Sequence, residues 1–130
     1  GVCFIENGYR DSIHHVQNYS AVTGACLMIK KELFDKLGGL DEKLAVAYND
    51  VDFCLRLRRS GLLNVYVPQA LLFHYESKSR GYDDKGERHE RFLRESQLFR
   101  DRWQNIIDDG DPYYNVNLSK EVPWKPEIKM

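Results

Sequence analysis

No stretch of this sequence approaches the ~20 consecutive apolar residues that a membrane-spanning helix requires. The longest apolar runs are the short "AVTGACLMI" and "VYVPQALLF". A surplus of one charge is also lacking: 19 Lys and Arg stand against 20 Asp and Glu, for a net charge of −1. That balance excludes the one-sided basic surface that grips nucleic acid, so no nucleic-acid partner is expected. Cysteine is scarce. Cys3, Cys26 and Cys54 lie far apart, in no paired ligand spacing, and two of them sit within apolar runs. They read as reduced, buried core residues of a cytosolic protein. There is no repeat, no low-complexity tract and no signal-type h-region, and the opening "GVCFIENGYR" carries no initiator Met. Such a beginning reads as a segment excised from a longer chain.

What the sequence does have is enough apolar residue, 42% of 130, for one modest core. Residues 1–20 are polar and turn-rich, without a period, and read as a loop or as a segment that leans on a part absent from this sequence. Ala21 to Ile29 is a β-branched apolar run that reads as a buried strand, with Gly24 marking a close backbone approach. "KKELFDKLGGLDE" predicts a short helix with Leu33, Phe34 and Leu37 on its apolar stripe and Gly38-Gly39 as its stop. "YNDVDFCLRLRRSG" predicts a second helix, with Asn49 as N-cap and an apolar face of Val51, Cys54 and Leu55. Arg56, Arg58 and Arg59 suit its C-terminal end, and Gly61 stops it. "LLNVYVP" and "ALLFHY" read as two short strands, or a strand and an extended crossing, broken at Pro68, and "ESKSRGYDDKG" as a polar loop. Between about Glu87 and Asp109 the helical period returns, with Phe92, Phe99, Trp103 and Ile106 recurring along one face. Residues 110–130 read as an irregular tail, with Tyr113, Tyr114 and Trp124 as its anchors.

Three constellations could carry chemistry. Asp50 and Asp52 open the second helix, where unpaired backbone N–H groups and the macrodipole favour carboxylates, so capping is their ordinary explanation. In a functional reading, one of them faces a cleft and takes a proton from a substrate hydroxyl. His74 ends an apolar run. It reads either as a half-buried histidine at a strand end or as one ligand of a metal whose carboxylates come from elsewhere. "SKSRG", Ser77 to Gly81, is either solvated surface or a loop able to wrap a phosphate.

The ordered motifs "VTGACLMIKKELFDKLGGLDEKL", "YNDVDFCLRLRRSG", "NVYVPQALLFHYESKSRG", "FRDRWQ" and "GDPYYNVNLS" together resemble the C-terminal, acceptor-side part of a family 2 glycosyltransferase. The type is bacterial and rhamnosyltransferase-like, and the resemblance runs from about Gln17 to Ser119. It implies an α/β fold, part of a GT-A (nucleotide-diphospho-sugar transferase-like) domain, with a few strands, two short helices and a long C-terminal helix. By the same resemblance Asp50 is the general base on the acceptor hydroxyl. Gly24, Ala25, Asn49, Asp52, Ser79 and Arg80 are substrate-binding residues, and His74 helps to hold a divalent metal, Mg or Mn. The implied partners are a nucleotide-diphospho-sugar donor and a glycan or lipid-linked acceptor, in a cytoplasmic enzyme at the inner face of a membrane.

Two departures stand out. Asn49 replaces the usual Glu before the base, and the Asp-x-Asp metal motif of the nucleotide-binding half has no counterpart here. The "DGD" of Asp109 to Asp111 belongs to the tail motif instead. The expectation is therefore a single unit that is inactive alone, with exposed apolar surface that favours a homodimer. A non-catalytic binding or assembly module built on the same scaffold is the alternative.

Overall fold

The computed structural model, which describes residues 9–72, 86–119 and 121, contains two short helices, one long helix and a two-stranded sheet that packs on the second short helix. Helix α1, Lys31–Lys36, ends where the sequence runs into two glycines. Gly38 donates its N–H to Asp35 O at 3.0 Å and Gly39 to Phe34 O at 2.9 Å. Both glycines are left-handed, with φ of 79° and 65°. This paired closure satisfies carbonyls that the last turn would leave open. It also packs the chain against Phe34, since a Cβ on Gly39 would meet that ring at 2.9 Å.

Helix α2, Asn49–Arg59, closes by the same device: Gly61, at φ 79°, donates to Arg58 O at 2.9 Å and Leu62 donates to Leu57 O at 3.1 Å. The sequence predicts a single apolar face here, yet Asp52, Phe53, Cys54, Leu55 and Leu57 are all buried. The reason is that α2 is covered from three directions. Phe53 meets Phe34 of α1, with ring centroids 5.2 Å apart. Cys54 lies against Val22, whose N–H reaches its sulfur at 3.5 Å. Leu55 joins Leu44, Phe99 and Trp103 in the core.

Helix α3, Glu87–Asp109, has the boundaries that its period predicts, and it buries Glu95, Phe99 and Trp103. Ile106 is partly buried, and Phe92 lies at the rim. The helix is joined to α2 through a charge. Asp52 has a relative exposure of 0%. Its carboxylate accepts from Arg56 Nε at 2.8 Å, from Arg102 at 2.7 Å and from Trp103 Nε1 at 2.9 Å. Arg102 continues to Asp41 at 2.7 Å, while Arg56 reaches the carbonyls of Leu37 and Gly39 at 2.6 and 2.7 Å. The expected cap is thus an interior ion pair. Its Oδ1 faces α3, where Arg102 and Trp103 donate to it, and its Oδ2 takes Arg56 of its own helix, so both oxygens are satisfied, which is what a buried carboxylate requires.

The sheet departs from expectation. β1, Gln17–Tyr19, lies in the stretch read as loop and pairs antiparallel with β2, Asn64–Tyr66. β2 falls within "LLNVYVP", as predicted, whereas Ala70 to Leu72 form no strand and the rest of "ALLFHY" lies outside the described residues. Ala21 to Ile29 is not a strand. Thr23 Oγ1 accepts the Ala25 N–H at 3.3 Å and turns Gly24–Cys26 into a single 3-10 turn, and Met28 is 98% exposed. Apolar composition alone does not make a strand when no neighbouring ladder accepts its hydrogen bonds.

The tail is irregular through the described residues and is anchored chiefly by Leu118, which is buried. Tyr113 lies under Arg58, and Tyr114 donates to Ser119 O at 2.6 Å. Trp124 lies outside the described residues. No helix among the described residues is long and apolar enough to cross a membrane.

Three stability measurements follow from these contacts. Asp52→Ala leaves Arg102 and Trp103 facing an emptied site, and denaturant unfolding followed by circular dichroism should show a loss of about 3 kcal/mol. Gly61→Ala puts a side chain in a left-handed but open position and should cost about 1 kcal/mol in the same assay. Gly39→Ala, which also meets Phe34, should cost about 2 to 3 kcal/mol.

Candidate functional site

The approach to α2 is governed by one buried acid. Glu95 of α3, only 4% exposed, accepts the N–H groups of Val46 at 3.1 Å and Ala47 at 2.6 Å through a single carboxylate oxygen. The next residue, Tyr48, is left-handed at φ 62°, and its ring stacks on Phe99 at 4.8 Å and leans on Phe92 at 6.1 Å. The N-cap position belongs to Tyr48, not Asn49, because this turn delivers the chain directly into the helix. Asn49 Oδ1 instead accepts the Asp50 N–H at 2.7 Å, in the first turn.

Asp50 follows, half-buried, with two backbone partners. Its Oδ1 accepts the Val51 N–H at 2.8 Å and its Oδ2 accepts the Gly24 N–H at 2.8 Å. Gly24 and Asp50, expected in one cleft from separate motifs, therefore touch. A Cβ on Gly24 would sit 3.3 Å from Asp50 Cβ, so the glycine permits the approach. Ala25 is exposed beside them and Asn49 is half-buried on the same turn. A carboxylate oxygen has two lone-pair positions, so each Asp50 oxygen keeps one for a further donor. A fixed and partly open carboxylate of this kind can take a proton from a hydroxyl brought to it.

Asp52 does not share the cleft. Its side chain is enclosed by Arg56, Arg102 and Trp103, so neither the substrate-binding nor the capping expectation matches its placement. His74, Ser79 and Arg80 lie outside the described residues. Among the described residues no three His, Cys, Asp or Glu side chains converge as a metal site. Sequence reasoning missed Glu95, although a signal was there: an acid three residues after Phe92 and four before Phe99 interrupts the apolar stripe of α3.

From Thr23, next to Gly24, an open groove of about 850 Å³ runs toward the sheet, with Tyr19, Cys26, Leu27, Leu63 and Val65 among its walls. It displays the apolar run read as a strand. Cys26 is exposed on it, against the expectation of a core thiol, whereas Cys54 is buried and Cys3 lies outside the described residues. Burial pushes the Cys54 thiol up in pKa, the Val22 N–H partly offsets this, and the charge of Asp50 adds to the rise.

Relatives with stated functions are involved in sugar chemistry. The chain is 38% identical over 110 residues to the O-antigen biosynthesis protein RfbC of Myxococcus xanthus, a match that spans 79% of this chain and 8% of that protein. It is 39% identical over 62 residues to an N-acetylglucosaminyl-diphospho-decaprenol L-rhamnosyltransferase of Mycobacterium tuberculosis, across 48% of this chain and 20% of that one. A further relative, protein y4gI of Sinorhizobium fredii, is 50% identical over 115 residues, 88% of this chain and 12% of its own length. The chain thus spans a fifth or less of these relatives. The similarity relates it to glycosyltransferases and to sugar transfer in general. No family model matches the chain, and no solved structure does.

The two described thiols differ enough to be told apart chemically. Iodoacetamide at neutral pH, read by peptide mass spectrometry, should modify Cys26 in the folded protein and Cys54 only after denaturant is added.

Proposed function

We propose that this chain is the acceptor-binding and base-supplying portion of an inverting, metal-dependent glycosyltransferase of the family 2, GT-A type. Asp50 is its base. The observation that carries the reading is the Gly24–Asp50 contact at the head of α2, where a carboxylate is fixed by the Gly24 N–H beside a residue with no side chain to obstruct a sugar.

In the proposed step, an acceptor hydroxyl lies against the free lone pair of an Asp50 oxygen. As the hydroxyl oxygen bonds to the anomeric carbon, its proton passes to Asp50, and the bond from that carbon to the nucleoside diphosphate breaks with inversion. The Gly24 and Val51 N–H groups hold the carboxyl in place throughout. The donor is a nucleotide-diphospho-sugar and the acceptor a glycan or a lipid-linked glycan. The Mycobacterium tuberculosis relative, by its name, acts on a sugar diphospholipid. A divalent ion would offset charge on the leaving diphosphate. Among the described residues no such site is formed, and its carboxylates, with the partners of His74, are proposed to lie outside them. Ser79 and Arg80 are proposed at the diphosphate, and the location is proposed as cytoplasmic, at the inner face of a membrane.

One observation favours the second reading, a non-catalytic binding or assembly module. Both Asp50 oxygens already serve backbone N–H groups, as a purely structural acid would. Asp50→Asn in the complete enzyme separates the two, because the amide keeps an oxygen for Gly24 but cannot accept a proton. Sugar transfer should fall about 10²- to 10⁴-fold in kcat with the melting temperature retained. Transfer at the wild-type rate would rule out the base.

A further inference from the structure

The structure assigns Glu95 the role of a positioning residue: by holding the Val46 and Ala47 amides, it sets where Asp50 stands. The inference rests on the reading of Asp50 as the base. Phe92, Glu95 and Phe99 lie on one face of α3, at the spacing of successive helical turns. That face is the template for the chain entering α2. Glu95 takes two consecutive backbone N–H groups on one buried oxygen, and Phe99 and Phe92 take the ring of Tyr48, the residue immediately after. Asp50 is two residues further on.

Two features make this more than ordinary packing. Segment 45–48 has no helix or strand of its own to fix it, so its path depends on these side-chain contacts. Tyr48 is a bulky residue at positive φ, a conformation that persists only where its surroundings impose it. A change in the reach of Glu95 therefore moves the left-handed turn, and with it the first turn of α2 and the Asp50 carboxylate. Glu95 itself, enclosed on α3 beneath the loop, does not touch substrate in this scheme. The Arg91 guanidinium, 3.8 Å from its other oxygen, supplies a compensating charge.

The experiment compares Glu95→Asp, Glu95→Gln and Asp50→Asn in the complete enzyme. The readouts are kcat, KM and hydrogen–deuterium exchange of peptides covering residues 45–51. Glu95→Asp keeps the charge but withdraws the acceptor by one methylene. It should lower kcat about 10- to 100-fold with KM little changed, and should speed exchange across 46–51. Glu95→Gln keeps an acceptor oxygen at full reach and should restore most of kcat and the protection. Wild-type kcat in Glu95→Asp, with exchange at Val46 and Ala47 accelerated, would overturn the inference. So would unchanged exchange across 46–51. If Asp50→Asn remains active, the base assignment fails by itself. Positioning then stands or falls on whether Glu95→Asp loosens the Asn49–Val51 amides.

Discussion

The Asp52 carboxylate sits at the centre of the chain with no access to water, held by Arg56 from its own helix and by Arg102 and Trp103 from α3. Everything else in the packing is arranged around keeping that charge satisfied. Arg56 spends its remaining donors on the carbonyls where α1 ends, and Arg102 reaches Asp41 ahead of the turn that contains Leu44. One buried anion thereby ties together α1, α2, α3 and the connection between the first two. The guanidinium of Arg59 covers the outer face of Trp103, which shields the donor from competing water. The bonds of such a cluster are directional, so it fixes the rotation of α2 as well as its distance from α3. Apolar packing alone specifies rotation less tightly.

That rotation decides which residues of the first turn face outward. With Asp52 turned into α3, Asp50 is carried to the side that meets Gly24. The two acids, two residues apart, thus have opposite fates for a geometric reason: they lie well apart around the helical circumference. One is enclosed and structural, and the other is half-open against the backbone of a glycine. Glu95 makes a parallel arrangement one step earlier in the chain, so α3 constrains both the residues before Asp50 and the residue after the next.

The parts of this architecture that were legible in sequence are those with local causes. The length of α3 follows from a helical period that persists across 23 residues despite the acid at Glu95, and the ends of α1 and α2 follow from Gly38-Gly39 and Gly61, whose left-handed closure needs no distant partner. The resemblance implied a shared cleft for Gly24 and Asp50, but their contact across 26 positions was not legible in the residues. The sheet was legible by half: β2 lies within the predicted "LLNVYVP", but β1, Gln17–Tyr19, is three residues with no alternation to detect. The fate of "AVTGACLMI" was misread because its apolar character says only that something should cover it. Asp52 and Glu95 escaped for a common reason: their partners lie roughly fifty positions away, and a charge in the sequence does not announce whether it will be solvated or enclosed.

The distance between Asp52 and its partners also has a meaning in time. On a ribosome adding about 5 to 20 residues per second, the 51 positions from Asp52 to Trp103 take roughly 3 to 10 s to make. Through that interval α2 can form and close on its own glycine, but Asp52 has no Arg102 or Trp103 to receive it and must stay hydrated. Its helix cannot settle into its final rotation, so the Asp50 end of α2 reaches its place against Gly24 only after the second half of α3 has emerged. The Gly24–Asp50 contact, though both of its residues precede α2's second turn, therefore waits on residues of α3.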